Sequence, residues 1–402
     1  MESDNKLFLL DAYALIYRAY YAFIKNPRIN SKGFNTSAIL GFVNTLEEVL
    51  KKENPSHIGV AFDPSGPTFR HEAFEQYKAQ REETPEAIRL SVPIIKDIIH
   101  AYRIPILEVA GYEADDVIGT LATEAGRQGI TTYMMTPDKD YGQLVTDNVF
   151  MYRPKHTGGF EVMGIEEVKA KFDIQSPAQV IDMLGLMGDA SDNIPGCPGV
   201  GEKTAQKLIA EFGSIENLLE HTDQLKGALK TKVETNKELI TFSKFLATIK
   251  IDVPIQLEMD KLVREQADED SLRQIFEELE FRTLIDRVLK KENSAGGVTM
   301  ATGSKTATAK SAPSPLPLFP EEGGAIQGDL FANFTGNDAG EAKKSNLETL
   351  ETLNCDYQLI DTEKKRTEII QKLLTSKILS LDTETTGTEP MDAELVGMSF
   401  SI

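Results

Sequence analysis

Short apolar segments alternate with helical stretches in the first part of the chain. Segments 6–10 (KLFLL), 57–62 (HIGVAF) and 130–136 (ITTYMMT) have the length and composition of buried strands. The stretches between them, notably 36–52 and 86–101, are predicted to be helices. Because parallel strands need crossover connections, this alternation predicts an α/β fold with a doubly wound, mainly parallel sheet.

Acidic residues follow each predicted strand. In an open parallel sheet, functional groups collect beyond the carboxyl ends of the strands, so these acids should face one edge. Two further groups stand at a predicted helix start (GYEADD) and in MGDASDN, where an i, i+3 spacing places both acids on one helical face. The full set is Asp11, Asp63, Glu113, Asp115, Asp116, Asp138, Asp140, Asp189 and Asp192.

Nine converging carboxylates without balancing bases would repel one another strongly. Hard divalent cations such as Mg²⁺ or Mn²⁺ resolve this repulsion, since they prefer oxygen ligands. Two such ions a few ångströms apart activate water and stabilise the leaving oxygen in phosphodiester cleavage. A single aspartate after a strand is usually only a helix cap or a solvated turn, so the prediction depends on five groups sharing one edge.

The ordered motifs around these acids resemble those of a known family. They are Asp11, FDPSGPTFRHE, GYEADD, TPDKD, GDASDNIPG and PGVGEKTAQKL. Over residues 6–290 they are similar to the 5′ nuclease family, which includes flap endonucleases, phage 5′ exonucleases and the N-terminal 5′-3′ exonuclease domain of bacterial DNA polymerase I. The resemblance implies a PIN-like catalytic domain. It also implies two metal sites, one held by Asp11, Asp63, Glu113 and Asp115, the other by Asp138, Asp140, Asp189 and Asp192, with Asp116 between or behind them.

Residues 194–208 (IPGCPGVGEKTAQKL) combine a glycine-rich turn with the start of a predicted helix at 202–212. Backbone N–H groups at a helix start bind phosphate without reading bases. The segment resembles the family's helix-hairpin-helix element, which implies duplex binding and a K⁺ ion held by carbonyl groups. The predicted DNA contacts are Gly199, Val200, Gly201, Lys203, Thr204 and Lys207. The alternative is an ordinary glycine-rich turn.

Residues 69–89 lie between Asp63 and the next predicted helix. By resemblance they belong to a flexible arch, about 66–100, that admits a single-stranded 5′ end; the alternative is a charged, solvent-facing helix. Four of its side chains and two outside it are predicted DNA contacts: Arg70, Lys78 and Arg81 for phosphates, Tyr77 for stacking on a base, and Arg18 and Lys139 as further phosphate ligands. We include Lys78 and Arg81 among the catalytic residues.

Composition and motifs predict four regions. Residues 1–175 form the catalytic domain, 176–292 its helical part, 293–345 a disordered linker and 346–402 the start of an RNase H-like 3′-5′ exonuclease domain. From 162 to 290 the pattern is mostly helical, with helices predicted at 161–172, 202–212, 214–220, 234–248 and 271–290. In the last region, strands are predicted at 357–360, 377–382 and 394–402. Asp382 and Glu384 resemble that domain's first motif, and its later motifs are absent. We therefore expect a truncated chain without proofreading or polymerase activity.

The linker contains Gln327–Phe331 (QGDLF), which resembles the peptide by which bacterial replication proteins dock on the sliding clamp. The two cysteines, Cys197 and Cys355, fit a reducing cytoplasm. No apolar run is long enough for a membrane helix, and we expect a monomer. The net charge of −20 does not exclude DNA, because nine acids are candidate metal ligands and bound ions would offset them.

These observations favour a structure-specific DNA nuclease that removes RNA primers and 5′ flaps, and acts at nicks, during replication and repair. A related PIN-type ribonuclease would share the acidic edge of the sheet, although the predicted hairpin and arch argue against it. A non-catalytic DNA-binding or clamp-tethered scaffold is the other alternative, and the complete set of acids argues against that.

Overall fold

The computed structural model describes residues 5–155, 159–289, 360, 362–376, 380–385 and 395–401. The chain divides into two units, Met1–Thr335 and Gly336–Ile402, and each is described by itself. The predicted linker and its clamp-binding peptide, Gln327–Phe331, lie outside the described residues. Within the described residues, no helix has both the length and the apolar character needed to cross a membrane.

A six-stranded sheet forms the centre of the first unit. Its strands are β1 (Lys6–Asp11), β2 (His57–Ala61), β3 (Ile106–Leu107), β4 (Thr131–Met135), β5 (Val149–Pro154) and β6 (Phe160–Met163). Their order across the sheet is β3-β2-β1-β4-β5-β6. All neighbouring pairs are parallel except β5 with β6, which confirms the predicted mainly parallel sheet. The chain moves outward in opposite directions from β1 and β4, so the topological switch point lies between these strands.

Helices cover the sheet and continue beyond it. The first half has α1 (Ala12–Ala22), α2 (Ser37–Lys52), α3 (Phe69–Ala73), α4 (Glu86–Ala101), α5 (Ala114–Arg127) and a 3-10 helix (Lys139–Leu144). The second half has α6 (Ile165–Phe172), α7 (Gln179–Met187), α8 (Glu202–Phe212), α9 (Ile215–Glu220), a 3-10 turn (Thr222–Gln224), α10 (Gly227–Thr235), α11 (Lys237–Ala247), α12 (Met259–Leu262), α13 (Glu269–Glu278), α14 (Arg282–Leu284) and a π-helical turn (Ile285–Leu289).

The central strand β1 is buried on both faces. Leu7 and Leu9 belong to one apolar cluster, and Phe8 and Leu10 belong to another on the opposite face. A strand covered by helices on both sides must be apolar at every position, which explains the uninterrupted run LFLL. The two clusters therefore hold the sheet rigidly below the edge where the strands end.

Several predicted elements are wrong in detail. The helix predicted at 161–172 is strand β6 followed by α6, and Gly164 separates them as the helix cap. The helix predicted at 234–248 is two helices that meet at Asn236, and that at 271–290 is α13, α14 and the π-helical turn. Strands β3, β5 and β6 were not among the predicted strands, because β3 has two residues and the other two carry polar side chains.

The second unit contains α15 (Glu363–Thr375) and two antiparallel strands, β7 (Ser380–Thr385) and β8 (Leu395–Ser401). The two strands agree with those predicted near 377–382 and 394–402. The strand predicted at 357–360 falls mostly outside the described residues, and Ile360 belongs to no regular element. Asp382 and Glu384 lie on β7, opposite Ser399 and Gly397. The RNase H-like assignment stays a prediction.

Candidate active site

Asp11 stands at the switch point, as the last residue of β1 and the cap of α1. Its carboxylate accepts a hydrogen bond from the Ala14 backbone N–H at 3.1 Å. The Thr136 hydroxyl, just beyond β4, and the Tyr141 hydroxyl lie 3.2 and 3.3 Å from its second oxygen. Burial, together with nearby carboxylates, of which Asp63 is the strongest, raises the pKa of Asp11 to about 7. The fold thus concentrates negative charge here.

The start of α5 supplies the next group of acids. Glu113 caps the helix, and the Asp63 carboxylate accepts from the Ala114 backbone N–H at 2.7 Å. Ligand oxygens of Glu113, Asp115 and Asp116 all lie within 4.8 Å of one another. Burial, with the adjacent Asp116 carboxylate next, holds the pKa of Asp115 well above its ordinary range.

The second group gathers after β4 and after α7. Asp138 caps the 3-10 helix and accepts from the Asp140 backbone N–H at 2.9 Å. Burial raises the pKa of Asp140 well above its ordinary range, and the carboxylates of Asp138 and Asp189 raise it further. Asp192 also contributes to this repulsion. The four acids predicted for the second metal are therefore electrostatic neighbours.

One buried carboxylate oxygen in each group has no hydrogen-bond donor among the described residues. They are Oδ1 of Asp115 and Oδ1 of Asp140. Buried polar atoms in proteins are almost always hydrogen-bonded, so each exception needs an explanation. Hard divalent cations bind such oxygens, and both acidic groups fit them.

Asp189 and Asp192 lie in a turn, and the predicted helical face for this pair is wrong. Helix α7 ends at Met187, and Asp189 and Ile194 exchange backbone hydrogen bonds of 2.9 and 2.8 Å. A Cβ atom on Gly196 would overlap the backbone nitrogen of Gly188, so the chain crosses itself closely at the base of this turn.

Basic side chains of the predicted arch reach these acids. Lys78 Nζ lies 2.6 Å from Glu113 Oε1 and 3.6 Å from Asp192 Oδ2, and Arg81 pairs with Asp192. Lys139 Nζ lies 2.8 Å from Asp189 Oδ2. All three cations thus lie at the acidic groups, paired with candidate metal ligands.

Arg70 does not have the position predicted for a DNA contact. Its residue is 1% exposed, and its guanidinium donates from Nη1 and Nη2 to Asp116 at 2.8 Å and from Nη1 to Glu113 at 2.8 Å. Nε and Nη2 also donate to the backbone carbonyls of Leu246 and Thr248. Because all its N–H groups are used inside the protein, Arg70 is unavailable to a phosphate.

Asp116 belongs to the acidic cluster by distance but faces inward. Its two oxygens accept two hydrogen bonds from Arg70 and one each from the backbone N–H groups of Glu113 and Lys250. These four bonds use the acceptor sites of a carboxylate. We therefore place Asp116 behind the candidate metal ligands, as a residue that positions Glu113.

Tyr77 also differs from its predicted role in base stacking. Its ring is buried, with the residue 3% exposed, and cannot meet a base. Its hydroxyl lies 3.0 Å from Glu113 Oε2 and 3.0 Å from Asp192 Oδ2. Tyr77 thus joins the first acidic group to the second, a role that no sequence signal indicated.

The remaining predicted DNA contacts lie on α1, in the turn before α8 and on α8 itself. Arg18, on α1, is half-buried and donates to the Lys155 backbone carbonyl at 3.2 Å. Lys203 and Lys207 are exposed on α8, which begins after Gly201, and Thr204 is half-buried there. Val200 is 4% exposed, so its side chain belongs to the core. Lys232, which the sequence did not indicate, donates to the Gly199 carbonyl at 3.2 Å.

Two family models match consecutive parts of the chain. Residues 6–173 match the "5′-3′ exonuclease, N-terminal resolvase-like domain", and residues 175–270 match the "5′-3′ exonuclease, C-terminal SAM fold". The chain belongs to the 5′-3′ exonuclease family. The resemblance drawn from its motifs is confirmed.

Curated relatives of this 5′-3′ exonuclease are bacterial DNA polymerases I. The Bacillus subtilis enzyme is 43% identical over 291 residues, covering 72% of this chain and 33% of the relative. The Chloroflexus aurantiacus enzyme is 35% identical over 399 residues, covering 98% of this chain and 40% of the relative. The chain therefore spans about a third to two-fifths of the length of these relatives.

Solved structures show the same fold. The zinc-bound 5′-exonuclease of T5 is 22% identical, has a TM-score of 0.51, and covers 69% of this chain and 98% of its own. A complex of the bacteriophage T5 flap endonuclease with DNA and metal ions is 23% identical, with a TM-score of 0.50, and covers 68% and 99%.

Gly196→Ala is expected to destabilise this 5′-3′ exonuclease by about 1–3 kcal/mol, because φ is +62° and the new Cβ would overlap Gly188. Asp189 and Asp192 would shift with the turn. Gly201→Ala is the control, since a Cβ there meets nothing within 4 Å and only a helix cap is weakened. Thermal melting should show a larger loss for Gly196→Ala than for Gly201→Ala, and equal melting temperatures would contradict the role of the crossing.

Proposed function

We propose that the chain is a metal-dependent nuclease that removes 5′ ends and flaps from DNA during replication and repair. The observation that carries this proposal is a pair of buried carboxylate oxygens that have no hydrogen-bond donor among the described residues, Asp115 Oδ1 and Asp140 Oδ1. One lies in each of two acidic groups at the switch point of the sheet. Buried polar atoms are almost always hydrogen-bonded, and a bound cation in each group would account for both exceptions.

The proposed ligands follow the two groups. Asp11, Asp63, Glu113 and Asp115 hold one Mg²⁺ or Mn²⁺ ion, and Asp138, Asp140, Asp189 and Asp192 hold the other. When bound, such ions activate water and stabilise the leaving oxygen of a phosphodiester. The protein's own part is to fix the carboxylates rigidly, since they cap helices and accept backbone hydrogen bonds.

Lys78 and Arg81 are proposed to bind the oxygens of the scissile phosphate. Both side chains already reach Asp192, and Lys78 also reaches Glu113. A phosphate that entered between the two acidic groups would bring its own negative oxygens to Lys78 and Arg81. These oxygens would replace the carboxylate oxygens that the two side chains contact in the structure. Lys139, paired with Asp189, can act in the same way on the neighbouring phosphate.

The start of α8 is proposed to grip the duplex away from the cleavage point. Lys203 and Lys207 are exposed there, and backbone N–H groups at a helix start bind phosphate. Gly199 lies in the turn before α8, Gly201 caps the helix, and Thr204 lies in its first turn. A K⁺ ion on its carbonyl groups stays part of the proposal, although the Lys232 ammonium already donates to the Gly199 carbonyl.

The proposal also covers the substrates, the location and the oligomeric state of the protein. The substrates would be 5′ flaps, nicks and RNA primers joined to DNA, and the protein would act in the cytoplasm as a monomer. Docking on the sliding clamp through Gln327–Phe331, and the division of the chain at 175, 292 and 345, stay predictions.

Removal of divalent metal tests the proposal. With Mg²⁺, a 5′-labelled flap should be cut near the junction of single strand and duplex, leaving a 5′-phosphate and a 3′-hydroxyl. EDTA should abolish cutting, and excess Mg²⁺ should restore it. Flap binding without cutting in Mg²⁺ or Mn²⁺ would indicate the scaffold, and faster cutting of single-stranded RNA than of any flap would indicate a ribonuclease.

A further inference from the structure

A row of aromatic side chains on the first unit has no part in the function proposed so far. Successive ring centroids along it are separated by 5.9, 6.0, 6.1 and 5.6 Å. In order, its members are Tyr112, Phe69, Phe245, Phe242 and Phe74, and we call them the aromatic row. The row joins two parts of the chain that are far apart in sequence.

The aromatic row is open to solvent along α11. Phe245 is 42% exposed, and Phe242 is half-buried. Together with Lys237, Glu238 and Thr241 they line an open groove of about 450 Å³. Large aromatic rings at a surface expose apolar area to water, and contiguous exposed apolar surface commonly marks a binding site.

The other end of the aromatic row reaches the acidic groups. Tyr112 directly precedes Glu113 in the chain, and the Phe69 ring lies 4.5 Å from the Arg70 guanidinium carbon. The same guanidinium donates to Glu113. The aromatic row is therefore continuous in the structure with the residues that hold Glu113.

Charged groups of both signs accompany the rings. Lys250 Nζ lies 5.3 Å from the centroid of the Phe69 ring and 3.9 Å from Asp252 Oδ1, and Lys237 and Glu238 both line the groove. Surfaces that bind single-stranded nucleic acid combine stacked bases on aromatic rings with basic groups near the backbone. The series of rings, with the ammonium groups of Lys237 and Lys250 beside it, thus fits an extended strand with flat bases.

We propose that the aromatic row is a stacking subsite for the single-stranded 5′ segment of the substrate. This inference rests on the proposed function and adds to it where the displaced strand lies. Stacking requires only the π-face that every base has, so the subsite accepts any sequence. A longer flap reaches more of the aromatic row than a flap of one nucleotide.

The test compares a single-nucleotide flap with a flap of about ten nucleotides, a length within the range of known single-strand sites. In the full chain, Phe242→Ala with Phe245→Ala should raise KM for the long flap on the order of tenfold and leave its kcat unchanged. Both parameters for the short flap should stay as in the unmodified chain. Phe242→Tyr with Phe245→Tyr should restore KM, because the rings return.

Val162→Ala is the control, since Val162 is an exposed apolar residue on β6, at the sheet edge opposite β3. Equal KM values for the long flap in the unmodified chain and the double alanine variant would overturn the subsite and assign the row to another partner, such as a protein. Absence of cutting of both flaps by the unmodified chain would instead refute the proposed function. If the double variant melts early, Phe245→Ala alone carries the comparison.

Discussion

Asp115→Asn is expected to lower the rate of flap cleavage by about a thousandfold or more. Losing one charged ligand removes several kcal/mol of charge stabilisation in the transition state, and about 4 kcal/mol corresponds to that factor. The variant should fold at least as well without metal, because burial and Asp116 already disfavour the ionised form of Asp115. The substitution is therefore expected to leave the folding stability unchanged or higher, and to lower the cleavage rate.

Single-turnover cleavage in Mg²⁺ measures the loss, and flap binding in EDTA should be unchanged. Asp140→Asn tests the second acidic group in the same way, since its Oδ1 is the other oxygen without a donor. Asp147→Asn is the matched control, because Asp147 is exposed and outside both groups. Undiminished cleavage by Asp115→Asn would remove Asp115 from the metal ligands.

Arg70→Met is expected to destabilise the chain by about 3–5 kcal/mol, because Asp116 would remain buried without its arginine and Glu113 would keep only the Lys78 cation. The carbonyls of Leu246 and Thr248 would also lose their donor. The effect is large because removing one partner leaves a buried charge uncompensated. This lowers the free energy of unfolding by more than the intact ion pair contributes to it.

Chemical denaturation of Arg70→Met and Arg81→Met measures this difference. The Arg81 side chain is 40% exposed and pairs with Asp192 at the surface, so its loss should change the free energy of unfolding by less than about 1 kcal/mol. A double-mutant cycle with Asp116→Asn should give a coupling above about 1 kcal/mol for Arg70. Unchanged stability of Arg70→Met, together with weaker DNA binding, would restore the phosphate-contact role first predicted for it.

The sheet and its acidic edge could be predicted because both depend on local signals. An apolar run such as LFLL requires burial on both faces, and an acid placed directly after it must stand at the edge of a parallel sheet. Short strands at the edges of the sheet cannot be predicted in this way. Strand β3, with two residues, carries no pattern that distinguishes it from a loop.

The roles of Arg70 and Tyr77 could not be read from the sequence in this way. Both belong to a charged segment whose composition is that of a surface, and the groups that bury Arg70 include Leu246, 176 positions away in the chain. The turn at Asp189 to Asp192 is different, because its glycine, asparagine and proline are typical of turns. That signal was present, and the i, i+3 spacing alone led to the wrong prediction of a helical face.

The hydrogen-bond partners of Arg70 are made at widely separated times during synthesis on the ribosome. The first proposed metal ligand is Asp11, whereas Arg70 finds its last acceptor only at Thr248. At about 5–20 residues per second, roughly 10 to 50 seconds separate the emergence of these two residues. During that interval Arg70 can already pair with Glu113 and Asp116, but the carbonyls of Leu246 and Thr248 that complete its hydrogen bonds are missing. The buried network behind the acidic groups is thus complete only after the helical part has been made.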